Sequence, residues 1–340
     1  MKKVLLTGAC GYIGSHAAIQ LLQEGYEIAI VDSLVNSDKS VVARIESYFK
    51  VKIPFLENNL LTELENAKNF ILEFQPDYVM HFAGLKSVNE SVERPLMYWE
   101  NNVSSSANLL KMLESLGKKI TFVFSSSATV YLELDGLPFK ERDATGPISP
   151  YGDTKLAIEK LIQAHSKASK NFTGISLRYF NPVGANNIGL ACENPSSPPN
   201  NIMTKLVQAA LTDDKEFHIF GSDYNTSDGT CIRDYIHICD LIDGHILAMT
   251  QLKNTNKYFT LNLGTGNGAS VAKIISTFEV VNNIKFKTII SPRRLGDVES
   301  SIADPKEANG LLGWQAEKSL NEMCKDSWDV YNILYSDLQS

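Results

Sequence analysis

Tyr151 and Lys155 stand four residues apart in SPYGDTK, a spacing that sets both side chains on one face of a helix. Ser149 and Pro150 read as the N-cap and first turn of that helix. Upstream, TFVFSSSATV reads as a buried strand that delivers Ser125, Ser126 and Ser127 at its end. A phenol, an ammonium and a hydroxyl brought together form an acid/base unit for hydride transfer, so Tyr151, Lys155 and Ser127 are the catalytic candidates. A free tyrosine titrates near about 10, and lowering that by ~3 pH units takes roughly 4 kcal/mol in favour of the phenolate. One lysine charge at ~5 Å, with an effective dielectric of ~20, supplies about 3 kcal/mol. Lys155 is therefore expected to lower the Tyr151 pKa. The pair alone would also suit an ordinary helix surface; its weight comes from what accompanies it.

What accompanies it is a dinucleotide signature. The run Val4–Leu6 reads as a strand and enters TGACGYIGSH, where Gly8, Gly11 and Gly14 precede an apolar helix over Ser15–Glu24. Glycines there permit a tight turn, close approach to a pyrophosphate, and packing of helix on strand. The helix N-terminus then offers N–H groups to the phosphates. Asp32 ends the second strand in EIAIVDSLVNS, and a carboxylate at that place accepts from ribose hydroxyls and repels a 2′-phosphate. No arginine follows it closely, so NAD is favoured over NADP, and its cationic ring would supply the rest of the Tyr151 shift. A structural turn and a helix-capping Asp are the plain alternatives. HFAG at His81–Gly84 ends a further strand, and Asn101 opens a long helix, Asn101–Leu116.

These residues need a scaffold. Apolar runs at Val4–Leu6, Ile28–Val31, Tyr78–His81, Thr121–Phe124 and Ile175–Arg178 alternate with helical patterns such as Leu64–Phe74 and Pro150–Lys167. That alternation predicts βαβ units and a parallel sheet covered on both faces. The expected fold is α/β, a Rossmann-type doubly wound parallel sheet with a smaller α/β substrate-binding domain. Residues 1–181, with roughly 235–265, form the first domain; 182–234 and 266–340 form the second. Tyr235–Thr250 reads as a scaffold helix, Phe259–Leu263 as a sheet strand, and Asn186–Asn201 as a long loop. The chain has 340 residues, 44% of them hydrophobic, enough for a sizeable core. A net charge of −7 with scattered Lys and Arg argues against nucleic acid. Five cysteines, Cys10, Cys192, Cys231, Cys239 and Cys324, contain no CxxC, which argues against disulfides and a metal site. With no 18-residue apolar run and no signal peptide pattern, a cytoplasmic protein without a membrane span is expected.

The motifs GYIGSH, HFAGLKSVNESV, FSSSATVY, SPYGDTK, LRYFNPVGA, DGTCIRDYIH and PRRLGD resemble the UDP-glucose (UDP-galactose) 4-epimerases of the extended short-chain dehydrogenase/reductase family along nearly the whole chain. The resemblance implies a tightly held NAD, a UDP-sugar substrate and a 4-keto intermediate. It implies NAD contacts at Gly8, Gly11, Tyr12, Ile13 and Gly14, and along Asp32, Ser33, Leu34, Val35, Asn36 and Ser37. Further NAD positions are Asn59, Leu60, Phe82, Ala83, Gly84, Lys86, Asn101, Ser127, Tyr151, Lys155 and Phe180. For the UDP-sugar it implies Lys86, Ser127, Tyr151, Asn181, Asn201 and Ile202, the strand His218, Ile219 and Phe220, and Arg233, Arg294, Asp297 and Ser301. In the plain alternative these arginines are surface ion pairs. Family members commonly form homodimers through two helices, here Asn101–Leu116 and Pro150–Lys167.

Three departures stand out. Leu132 follows Val130-Tyr131 where the family shows Gly, so the following loop is expected on another path; Asn59 replaces an Asp near the adenine; and the loop before the substrate helix reads GLACENPSSPP. Ser301 falls where the family carries Tyr or a small residue such as Cys. A small residue leaves room for an N-acetyl group, extending the substrates to UDP-GlcNAc and UDP-GalNAc, unless Leu295 or Ile302 fills the space. A nucleotide-sugar 4,6-dehydratase or decarboxylase on the same scaffold is the enzymatic rival; a dehydratase would want an Asp-Glu pair where Ala128 and Thr129 stand. A non-catalytic NAD(H) sensor is the rival of another class.

Overall fold

The computed structural model describes residues 2–132, 137–193, 199, 201–294 and 297–339. The apolar runs of the first half form β1 (Lys3–Thr7), β2 (Glu27–Asp32), β3 (Phe55–Glu57), β4 (Tyr78–His81), β5 (Ile120–Ser127) and β6 (Phe172–Tyr179). Later strands are β7 (Asn181–Val183), β8 (Glu216–Phe220), β9 (Ile232–His237), β10 (Tyr258–Leu263), β11 (Gly268–Ser270), β12 (Lys287–Ser291) and β13 (Ser300–Ser301). Seven of them make one sheet in the order β10-β6-β5-β4-β1-β2-β3. Every neighbouring pair in it is parallel, which gives the doubly wound Rossmann-type architecture.

Successive strand side chains point to opposite faces, so a strand buried on both must be apolar throughout. Leu5, Val31, Val79, Phe122 and Phe124 pack on one face with the helices Leu64–Phe74, Ser105–Glu114 and Pro150–Ala168. Val4, Leu6, Ile30, Met80 and Leu177 pack on the other with Tyr12–Gln23 and Ile238–Gln251. Each such aliphatic side chain contributes about 1.5–3 kcal/mol on burial.

A separate core lies beyond β6. Met203, Leu206 and Val207 of the helix Ile202–Leu211 pack with Phe217, Ile219, Phe278, Met323 and Tyr331. Around it lie the sheet β11-β9-β13, to which β7 adds by pairing with β9, and the ribbon β12-β8. The chain then returns, because β10 pairs with β6 at the edge of the main sheet.

Helix starts differ from expectation in three places, the first being the helix expected over Ser15–Glu24, which runs Tyr12–Gln23. The helix expected to open at Asn101 begins earlier: the turn Pro95–Tyr98 runs into a π-helical segment, Trp99–Ser104, before the α-helix Ser105–Glu114. The helix expected from Tyr235 begins at Ile238, because Tyr235, Ile236 and His237 pair with β7 as strand. Residues 133–136 after Leu132, residues 194–198 and 200 of the expected long loop, and Leu295 lie outside the described residues. No helix among the described residues is long and apolar enough to cross a membrane.

The turn after β1 tolerates no side chain at Gly14, where an added Cβ would lie 2.6 Å from Ala9 Cα and 2.6 Å from the Gly8 carbonyl oxygen. Both obstacles are backbone. Gly14→Ala is expected to destabilise the protein by about 1–3 kcal/mol, read as a lower urea midpoint at unchanged m-value. An unmoved midpoint would mean that helix and turn are not in close contact.

Candidate active site

In an open parallel sheet, ligands settle outside the carboxyl ends of the strands where the strand order reverses. Here β1 lies between β4 and β2, and a cleft of about 1200 Å³ opens at that end. It is lined by Gly8, Gly11, Tyr12, Ile13 and Gly14, by Asp32, Ser33, Val35, Asn36 and Ser37, and by Asn59, Leu60, Phe82, Ala83, Gly84, Lys86 and Asn101. Ser127, Tyr151, Lys155, Phe180 and Asn201 line the same cleft. Leu34 is the one residue of the expected cofactor set outside that lining.

The turn is a cradle that only a bare backbone fits. Gly8 has φ +73°, and a Cβ there would stand 2.6 Å from Ala83 N. Gly11 caps the helix Tyr12–Gln23 with no side-chain acceptor, which leaves the first-turn N–H groups suited to an anion. Asp32 accepts from Cys10 N at 2.8 Å and Leu34 N at 2.9 Å, which fixes its carboxylate at the cleft wall. Cradle, free helix end and strand-end carboxylate fit a dinucleotide without a 2′-phosphate. Asn59 uses its amide oxygen to accept from Leu61 N at 2.9 Å.

At the far end of the cleft the Ser149 hydroxyl accepts from Gly152 N, which starts the helix Pro150–Ala168 at Pro150. Gly152 lets this helix approach, since a Cβ there would meet Thr129 O at 2.7 Å. Lys155 Nζ donates to Ser125 O at 2.7 Å and lies 5.7 Å from the centre of the Tyr151 ring. Burial drives the Tyr151 phenol up to about 12, with the Ser127 hydroxyl bond acting in the opposite sense. Burial likewise lowers the Lys155 ammonium to about 8, partly opposed by Glu159. At both groups desolvation is the largest cause, and it disfavours the charged form of each.

The other expected substrate residues gather on the second core. Arg233 lies 3.5 Å from Asp297 Oδ1, and Ser301 pairs in register with Arg233. The Arg294 guanidinium lies over the Phe220 ring at 3.8 Å. Lys205 is near enough for burial and Arg294 to lower its pKa. Arg233, Arg294 and Lys205 are cations of a kind that suits a diphosphate, and none of the three is among the residues that line the cleft. Asn201 caps the helix Ile202–Leu211 through Met203 N and donates to Pro182 O at 2.9 Å. Asn181 lies in β7, half-buried Ile202 and buried Ile219 pack in the second core, and His218 is exposed on β8, beside Ser291.

Several residues were missed by sequence reasoning. Asn102, not Asn101, anchors the wall of the cleft: its amide accepts from Leu85 N at 2.7 Å and donates to Leu85 O and Thr154 Oγ1. Glu193 lines the cleft and pairs with Lys86 at 2.7 Å, while the Thr204 hydroxyl donates to it. Glu159 and Arg178 form a buried pair behind Lys155. The position of Glu159, one turn beyond Lys155, was the only available signal.

The chain matches the NAD dependent epimerase/dehydratase family over residues 4–264, and it belongs to that family. Within it, UDP-glucose 4-epimerase of Neisseria meningitidis serogroup C is 40% identical over 329 residues, 96% of each chain. The structure of UDP-glucose-4-epimerase from Stenotrophomonas maltophila with bound NAD and formylated UDP-arabinopyranose is 41% identical, with a TM-score of 0.94 over 99% of this chain and 100% of that one. The Bifidobacterium longum UDP-glucose 4-epimerase, in complex with NAD+ and UDP, gives 0.92 at 37% identity over 98% of each chain.

The depressed Lys155 pKa has a consequence for stability. Between about 8 and the ordinary lysine value of 10.5 the folded chain holds this amine neutral while the unfolded chain protonates it, so stability rises with pH through that window. Compared with Lys155→Met, ligand-free wild type should gain on the order of 1–2 kcal/mol between about pH 8 and 9.5. Urea melts of both proteins at each pH measure it; parallel curves would mean that the amine is not buried in solution.

Proposed function

We propose that this protein is an NAD-dependent epimerase that inverts C4 of UDP-hexoses, interconverting UDP-glucose and UDP-galactose through a 4-keto intermediate. The observation that carries the reading is the convergence of Tyr151, Lys155 and Ser127 on the cleft that the glycine turn and Asp32 line. Similarity to UDP-glucose 4-epimerases along nearly the full chain supports it.

The glycine turn, the first turn of the helix Tyr12–Gln23 and Asp32 hold the cofactor. When bound, NAD supplies the site that takes hydride from C4 and gives it back. Tyr151 takes the proton from the 4-hydroxyl and later returns it, and Ser127 hydrogen-bonds the same oxygen. Lys155 supplies the positive charge that favours the phenolate. Arg233 and Arg294 hold the diphosphate of a UDP-sugar, so that the ketone turns about its pyrophosphate link and offers either face to the same acid/base pair. After Ser127 the chain carries Ala128 and Thr129 in a short 3₁₀ turn, and neither is an acid for the elimination a dehydratase performs.

Residues 1–181 with roughly 235–265 serve as the NAD domain, and 182–234 with 266–340 as the UDP-sugar domain. The protein works in the cytoplasm as a homodimer joined through the helical region 101–116 and the helix Pro150–Ala168. Exposed Val92, Leu96 and Trp99, on segments beside the latter helix, support that pairing.

Purified protein supplied with UDP-galactose and NAD is expected to form UDP-glucose and to sediment at twice the chain mass. Tyr151→Phe should lower kcat by ~100-fold or more. Absence of conversion with NAD at saturation would sink the reading. The small Ser301 further supports turnover of UDP-GalNAc. Ser301→Tyr should abolish that reaction while sparing UDP-galactose; unchanged N-acetyl turnover would remove Ser301 as the gate.

A further inference from the structure

We propose that Glu159 is a positioning residue for the acid/base pair, its buried carboxylate holding Lys155 in the charged form that Tyr151 requires. This rests on the reading of Tyr151 and Lys155 as that pair.

Glu159 lies one turn beyond Lys155 in the helix Pro150–Ala168, and the two are 3% and 5% exposed. The i, i+4 spacing makes them neighbours on one face. Three bonds fix the carboxylate in place. Its Oε1 accepts from Ser126 Oγ at 2.5 Å and from Arg178 Nε at 2.9 Å, and its Oε2 accepts from Arg178 Nη2 at 2.6 Å. Arg178 is held in turn, donating from Nη1 to Glu141 O at 3.1 Å and lying over the Tyr131 ring at 4.8 Å. Held this way, Glu159 acts on Lys155 through its field while the ammonium stays on Ser125 O. Through Ser126 it also ties down the strand end that presents Ser127.

The surroundings of Lys155 supply no other anion among the described residues. From β5 come the Phe124 ring at 4.9 Å and the Ser125 carbonyl; from its own helix comes Tyr151. From β4 comes His81, fixed by Thr7 Oγ1 at 2.6 Å and Ser106 Oγ at 2.9 Å and held neutral by burial, which lowers it to about 3. From β6 comes Tyr179, bonded to the Ser125 hydroxyl and kept protonated by burial. Glu159 is the one group among these that raises the Lys155 pKa.

The test is the pH dependence of kcat/KM for UDP-galactose in NAD-saturated protein, which reports free-enzyme groups. Glu159→Gln keeps the shape and removes the charge. Its alkaline limb should move down by about one pH unit, with activity below the limb far less affected. Alone, that substitution leaves Arg178 charged and unpaired, which threatens folding. The double variant Glu159→Gln/Arg178→Gln removes both charges and should show the same displaced limb. A uniform loss of activity with an unmoved limb, in either variant with a native circular dichroism spectrum, overturns the proposal. So does failure of the double variant to fold, which would make the pair a structural element. Lys155→Met separates the two readings. If it stays active, the acid/base assignment itself fails; if it is inactive while the Glu159 variants keep the wild-type limb, only the role of Glu159 falls.

Discussion

An ammonium ion taken from water into a protein interior loses several kcal/mol of solvation that its new surroundings must replace. Lys155 is 5% exposed, meets one carbonyl and one aromatic ring on the strand below, and feels the charge of a fixed carboxylate one turn away. Much of the local architecture answers that demand. The helix that carries Lys155 must start sharply, hence Ser149 and Pro150 at its cap. It must lie close to the end of β5, hence Gly152 against Thr129. Strand β6 must bring Arg178 into register with Ser126, so that Glu159 has a partner and its own charge is not stranded.

The other half of the site answers a different constraint, the need for backbone to approach a ligand and another strand at once. Gly8 touches the end of β4, and Gly14 touches the turn itself. Two neighbouring strand ends thus become one wall. Asn102 continues that wall by holding Leu85 on both its N–H and its carbonyl. The π-helical segment Trp99–Ser104 contributes to this geometry: one extra residue in the turn rotates the next side chains about the helix axis, and it leaves Asn101 on the cleft while Asn102 is buried.

Where local chemistry alone sets an element, the sequence was legible. Helix Leu64–Phe74 and strand β4 fall where their patterns place them, and the glycine turn, Asp32 and the Tyr151–Lys155 pair all reach one cleft. Boundaries failed where an apolar run continues from one element into the next. Tyr235, Ile236 and Ile238 are all buried, and only the pairing with β7 decides that the first two are strand. A π turn likewise carries no periodic signature, so the start of the helix near Asn101 was read late. The second-core residues came from resemblance, because Phe220 meets Arg294, and Arg233 meets Asp297, only across separate chain segments. Arg178 was illegible for a similar reason: its pairing with Glu159 depends on the parallel register of β5 and β6.

The edge position of β10 bears on how the chain is made. Its partner β6 ends at Tyr179, so a nascent chain emerging from the ribosome carries an open sheet margin while roughly eighty further residues are synthesised. Unpaired strand margins invite contact with other chains, and delayed long-range pairing slows folding. The growing polypeptide must therefore make the part of its second core from Met203 to Tyr235 before the first is sealed, while Phe278, Met323 and Tyr331 follow later. A chain broken off within that excursion would expose β6 as a template for aggregation.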